Sequence, residues 1–416
     1  MQYNITAPAK LNANITLPAS KSISNRALII YALSGGQLMP RNLSDCDDTD
    51  VIIRAIKYMP EVIDIKAAGT AMRFMTAYLS VMRGTHVITG TERMKHRPIR
   101  VLVDALRMLG AQIEYVVEEG FPPLRITGRK LTGGPLTVAG DISSQYISAL
   151  LMIGPVLEDG LEMRLTGDII SRPYIDLTLW MMREYGADAE WSAGDTISVK
   201  PQPYKNRDYV IENDWSGASY WYETVALSKD HDATVRLSGL MDGSKQGDSV
   251  VKYIFSLLGV KTVFESKDSS MLQTVTLKKS GRCVPRLEYD FVNSPDLAQT
   301  FMVACCMMDV PFHFRGLSTL KIKETDRIKA MKTEMRKLGY VLTDINDCEL
   351  LWDGTRCEAE PDAVIDTYED HRMALSFAPA SQVRPIVMNN PQVVSKSYPQ
   401  YWYDLQNAGF IIEETK

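Results

Sequence analysis

Six stretches of this chain are apolar on every helical face, and each opens on small polar residues. They run over 22–33, 70–79, 143–152, 216–227, 294–304 and 370–378. A helix with no polar face is buried, so six interior helices are predicted. A second, amphipathic series runs beside them: LVDALRMLGAQIEYV, LTLWMMREYGADAEW, VKYIFSLLGVKTVF, MKTEMRKLGYVLTD and YWYDLQNAGFIIEE. Each reads as a surface helix that stops at a glycine and passes into a strand.

The two series keep step. Interior helices start at 22, 70, 143, 216, 294 and 370, which are 48, 73, 73, 78 and 76 residues apart. The terminating glycines are Gly110, Gly186, Gly259, Gly339 and Gly409, separated by 76, 73, 80 and 70. Such periodicity marks an internal repeat of one buried helix, one surface helix and several strands. There are six repeats, dividing naturally into two sets of three. The first is short, and its surface helix near 51–59 lacks the Leu-Gly ending.

Composition changes this picture little. A length of 416 residues suits two or three domains, and 45% hydrophobic with 23% charged residues is ordinary for a globular protein. A net charge of −5 with no basic stripe argues against nucleic acid as a partner. No apolar run is long enough for a membrane span, and the start MQYNITAPAK has neither a signal-peptide core nor an Arg-rich transit pattern. The six cysteines show no metal or redox spacing. A reduced, cytoplasmic protein is the expectation.

The chemistry-bearing residues sit where the interior helices begin. A helix N-terminus has free N–H groups and attracts anions. Lys21 lies at the mouth of the first interior helix, which Ser20, Ser22 or Ser24 can cap, and Arg26 follows one turn in. Gly69 puts bare backbone at the second helix start, where a phosphate or carboxylate could approach closely. Arg97 precedes a proline and so lies in extended chain. Lys323, Glu324 and Arg327 cluster ahead of and within a helix that Thr325 or Asp326 would cap. Cations there oppose the helix dipole and suggest a bound anion. Asp370 can cap the sixth interior helix, with His371 and Arg372 in its first turn, and Lys396 stands in a second extended segment. Walker A, Rossmann, His-Glu-x-x-His and paired-Cys zinc patterns are absent.

These segments together resemble the 5-enolpyruvylshikimate-3-phosphate (EPSP) synthase family, also called 3-phosphoshikimate 1-carboxyvinyltransferase. The likeness runs from LPASKSISNRAL through AGTAMR, MKHRPI, LVDAL, SSQYISALL, ISRPYIDLT, QGD at 246–248, NSPDLAQT, KIKETDRI and EDHRMAL to VSKSYPQYW. It implies an α/β (α+β) fold of two similar domains, each of three βαβαββ units with helices inside and sheets outside. Residues 19–212 would form one domain, 1–18 plus 213–416 the other, with the active site in the cleft between them. It further implies transfer of the enolpyruvyl group of phosphoenolpyruvate to the 5-hydroxyl of shikimate 3-phosphate, releasing phosphate, in the shikimate pathway of aromatic amino acid biosynthesis. No metal or organic cofactor is expected. A monomer that closes on its substrates and binds the inhibitor glyphosate is expected.

Carried over by position, the resemblance makes Asp296, Glu324 and Lys21 catalytic. Shikimate 3-phosphate falls to Lys21, Ser22, Arg26, Ser143, Ser144, Gln145, Ser171, Tyr174, Asp296, Thr319 and Lys323. Phosphoenolpyruvate falls to Lys21, Gly69, Arg97, Gln145, Arg327, Arg372 and Lys396. His371 is expected to support the site rather than catalyse. The chain departs from the family pattern at Ala67, where Asn or Asp is usual, at Phe74, where proline or a small residue is common, and at Thr319, where some members have Asn. UDP-N-acetylglucosamine enolpyruvyl transferase shares fold and donor. It normally carries a reactive loop cysteine and a Lys-Asn pair, whereas this chain reads Lys21-Ser22 and has no such cysteine. An inactive anion-binding homologue would have no need of Asp296, Lys323 and Glu324.

Overall fold

The computed structural model describes residues 1–415. The chain forms two compact units, one of residues 1–18 with 212–416 and one of residues 19–211. The second changeover thus falls between Ile211 and Glu212, one residue before the boundary read from the sequence. Each unit has its own apolar core.

All six interior helices form. Numbered here α1 to α6, they are Lys21–Leu33, Gly69–Val81, Ser144–Ile153, Trp215–Leu227, Ala298–Met307 and His371–Phe377. In α4, α5 and α6 every residue but Ser216 is buried. Wrapping all helical faces in apolar neighbours contributes about 1.5–3 kcal/mol for each large side chain such as Trp221 or Phe301. Small polar side chains supply several starts. Ser20 caps α1, Ser143 caps α3, Asp214 caps α4 and Asp370 caps α6.

The amphipathic helices are Arg100–Met108, Arg172–Glu184, Val251–Leu257, Arg327–Lys337 and Tyr401–Asn407. The glycine after each has φ between 81° and 101°, a left-handed conformation that a Cβ would strain. The first repeat ends its outer helix, Asp47–Tyr58, on Met59 with φ 41°, a non-glycine in the same role.

Among the described residues, five four-stranded sheets accompany six repeats. In one, Gly134–Ala139 runs parallel to Leu161–Thr166, and Thr196–Val199 and Ala189–Ala193 follow antiparallel. Strict alternation in Leu161–Thr166 puts Leu161, Met163 and Leu165 inward. The same succession of one parallel and two antiparallel pairings recurs in every sheet. The first repeat is the exception to the six-fold βαβαββ expectation. Its linker is too short for strands, and one isolated bridge, Arg41 with Val210, stands in place of a sheet. In the other unit the N-terminal strands complete two sheets. Asn12–Thr16 pairs in parallel with Thr234–Leu240, and Gln2–Thr6 lies between Ile386–Asn389 and Ile411–Thr415. This explains why residues 1–18 belong with the C-terminal half.

Candidate active site

Each unit presents a group of cations at or near helix starts. In the 19–211 unit, Lys21 is the first residue of α1 and its Nζ lies 3.9 Å from Asp48 Oδ2. Ser22, beside it, is half-buried. Arg26 is 3% exposed, and every acceptor it meets is uncharged. Nε donates to Thr178 Oγ1 at 2.7 Å and Nη1 to the Ser22 carbonyl at 2.9 Å. Nη2 donates to Ser148 Oγ at 3.1 Å and the Tyr174 carbonyl at 3.3 Å. Burial without a carboxylate lowers its pKa to about 10.

Gly69 opens α2 under the guanidinium of Arg97. A Cβ at Gly69 would fall 2.5 Å from Arg97 Nη1, so a side chain there would make the guanidinium shift. The carbonyl of Pro98 accepts from Tyr146 Oη at 2.6 Å and from Arg73 Nη2 at 3.2 Å, which fixes the segment carrying Arg97. Gln145 Nε2 donates to Thr70 Oγ1 at 3.1 Å and so joins the start of α3 to that of α2. Ser143, Ser144 and Gln145 are half-buried there. Ser171, with φ 53°, holds a left-handed conformation that costs a β-carbon-bearing residue on the order of 1–3 kcal/mol. Its carbonyl accepts from Tyr174 N at 3.0 Å.

In the other unit, Asp326 caps the outer helix that Arg327 begins. Arg327 is 1% exposed and shared by three carboxylates. Nε donates to Asp370 Oδ2 at 2.7 Å, Nη1 to Asp296 Oδ1 at 3.0 Å, and Nη2 to Glu324 Oε2 at 2.8 Å and Asp370 Oδ1 at 3.2 Å. Burial opposes its charge, but attraction to Asp370, Glu324 and Asp296 prevails and raises its pKa. The cation cluster that suggested a bound anion is therefore countered from within the protein.

Asp296 lies in the short turn Pro295–Leu297 and occupies neither N-cap position there. Its oxygens face Arg327, Arg372 Nη2 at 2.9 Å and Lys323 Nζ at 3.5 Å. Its side chain remains 19% exposed, unlike Asp370 at 0%. Arg372 also donates from Nη1 to Tyr220 Oη at 3.2 Å. The Thr319 hydroxyl is buried with no hydrogen-bond partner. Lys396 Nζ donates to the Glu369 carbonyl at 2.6 Å, across a turn in which Tyr368 and Glu369 both have positive φ. His371 is buried beside Asp370.

Several residues here escaped the sequence reading. Asp370 appeared only as a cap, yet it is the main partner of Arg327. Asp248, inside the Gln-Gly-Asp motif, is 3% exposed and accepts from the Ser216 hydroxyl. Burial pushes it up to about 6, with Arg372 opposing and Asp296 adding to the rise. Tyr220, pushed up to about 12 by burial, reads in sequence only as another core aromatic. Among the described residues, no cluster of His, Cys, Asp and Glu is arranged to hold a metal, and no helix is long and apolar enough to cross a membrane.

Repeated interior helices with four-stranded sheets are a fold shared with solved enolpyruvyl transferases. A solved structure of EPSP synthase from Acinetobacter baumannii matches with a TM-score of 0.79 at 20% identity, over 100% of both chains. The enolpyruvyl transferase NikO from Streptomyces tendae matches at 0.75 and 15%, over 100% of this chain and 98% of that one. At such identities the likeness concerns the fold alone. Sequence goes further. The family model described as EPSP synthase (3-phosphoshikimate 1-carboxyvinyltransferase) matches residues 5–63 and 58–405. A 3-phosphoshikimate 1-carboxyvinyltransferase of Bacteroides fragilis is 59% identical over 99% of each chain. One from Photobacterium profundum is 34% identical over 95% of this chain and 96% of its own. The chain belongs to the EPSP synthase family.

Proposed function

We propose that this protein transfers the enolpyruvyl group of phosphoenolpyruvate to the 5-hydroxyl of shikimate 3-phosphate, with release of phosphate. The observation that carries this reading is Asp296. It is a partly exposed carboxylate held by Lys323, Arg327 and Arg372. Addition of the hydroxyl to C2 of the donor needs a proton acceptor beside cations that hold an anionic donor. Asp296 takes the hydroxyl proton in this account. Glu324 or Lys21 serves the methylene carbon, which gains a proton in addition and loses one in elimination.

Shikimate 3-phosphate is assigned to Lys21, Ser22, Arg26, Ser143, Ser144, Gln145, Ser171 and Tyr174 in one unit, and to Asp296, Thr319 and Lys323 in the other. The buried Thr319 hydroxyl without a partner supports its place in that set. Phosphoenolpyruvate is assigned to Lys21, Gly69, Arg97 and Gln145, with Arg372, Lys396 and Arg327. Among these Arg97 stands beside an open helix start, whereas Arg327 is already committed to carboxylates, so its contribution is chiefly to hold Asp296 and Glu324. One ligand pair drawing on both units is part of the proposal. Glyphosate competing at the donor cations, a monomeric state and a cytoplasmic setting complete it.

The test is phosphate release with both substrates present. Turnover requiring both, lost in R97A and in D296N, supports the reading. Transfer to UDP-N-acetylglucosamine instead, or no turnover with either acceptor, overturns it.

A further inference from the structure

Arg26 is a buried cation whose hydrogen bonds all go to uncharged oxygens: Thr178 Oγ1, the carbonyls of Ser22 and Tyr174, and Ser148 Oγ. Such an arrangement satisfies the N–H groups but leaves the charge itself uncompensated. Besides the Tyr174 side chain, which also favours the charge, an aromatic ring meets it. The ring of Phe74, 0% exposed on α2, lies with its centroid 5.4 Å from Arg26 Cζ. The face of an aromatic ring carries partial negative charge and attracts a guanidinium within about 6 Å. We propose that Phe74 is a positioning residue for Arg26: its ring holds and partly offsets the buried guanidinium, and so sets affinity for the anionic acceptor without touching it.

The alternative is that Phe74 only fills the core of α2. The two differ in what they disturb. Phe74 shares its helix with Gly69, which the proposed function assigns to the donor. Loss of simple packing would shift that helix and change donor constants first. Loss of the ring face would act through Arg26 and change acceptor constants first. The inference rests on the proposed function, in which Arg26 serves shikimate 3-phosphate.

The experiment is calorimetric titration of the full-length protein with shikimate 3-phosphate, alongside steady-state kinetics. Binding by the unaltered protein comes first. Its absence overturns the functional reading and this inference with it. Given binding, F74L should weaken the acceptor by roughly three- to tenfold. The donor KM and kcat should stay within about twofold, and the acceptor effect should largely vanish in an R26K background, where the planar cation is gone. If F74L does not fold, F74M carries the same comparison, because it refills the volume with a chain that has no ring face. Unchanged acceptor affinity, a donor KM that moves as far, or an equal effect in the R26K background overturns the inference and leaves the functional reading standing.

Discussion

Replacing Asp296 with Asn separates a proton acceptor from a structural counter-ion. The change is nearly isosteric and removes one negative charge from a group in which Asp296, Glu324 and Asp370 face Arg327. Stripping the sole partner from a buried ion costs about 3–5 kcal/mol. Here Arg327 keeps two carboxylates, one of them fully buried, and the Asp296 side chain is 19% exposed. The stability loss should therefore be smaller, about 1–2 kcal/mol, the worth of one charge-assisted bond partly screened by water. Turnover is a separate quantity. Losing the acceptor for the hydroxyl proton should lower kcat by roughly 10²–10⁴, or about 3–5 kcal/mol of barrier.

The assay is phosphate release at saturating substrates, with thermal unfolding of the same preparation. D296N should unfold only a few degrees below the unaltered protein, bind shikimate 3-phosphate and turn over hundreds of times more slowly. A folded D296N with turnover within tenfold of normal refutes the base assignment and leaves Glu324 as the candidate. A protein that loses stability and activity together shows Asp296 to be a counter-ion for Arg327 and Arg372.

Three further outcomes follow from the same geometry. D370N keeps an oxygen to cap α6 but places an amide against fully buried Arg327, so calorimetry should show a loss of about 1.5–3 kcal/mol, more than for D296N; equal or smaller loss would contradict the burial argument. R372K keeps the charge but cannot reach both Asp296 and Tyr220 as the guanidinium does, so donor KM should rise tenfold or more with acceptor Kd little changed; equal weakening of both would remove Arg372 from the donor side. Glu212, with one carboxylate oxygen buried and unpartnered, is raised by burial from 4.5 to about 7. Its ionised form is disfavoured in the folded state, so the stability conferred by the neutral carboxyl is full below pH 4.5 and lost as pH rises to about 7. E212Q should flatten that fall by an amount on the order of 3 kcal/mol in denaturant unfolding, and an unchanged pH profile would refute the assignment.

The repeat, the six interior helices and the glycine-terminated outer helices were legible in the sequence because each depends on local periodicity. An apolar run must be buried wherever it lies, and a helix that ends left-handed favours glycine whatever surrounds it. The missing Leu-Gly ending of the first repeat likewise foretold an irregular unit, and Met59 occupies the left-handed position there. The family motifs also named most of the cations. What the sequence did not contain was which of those cations are already neutralised. Arg26 and Arg327 read alike as single cations near helix starts. Yet Arg327 meets carboxylates 3, 31 and 43 residues away, and the hydrogen-bond partners of Arg26 from other elements are uncharged groups 122 to 152 residues distant. The longer separations, Asp370 to Arg327 and Ser148 or Thr178 to Arg26, are closed only by the packing of elements from different repeats. Charge balance depends on distance through space and on exclusion of water, and neither is a property of neighbouring residues in the chain.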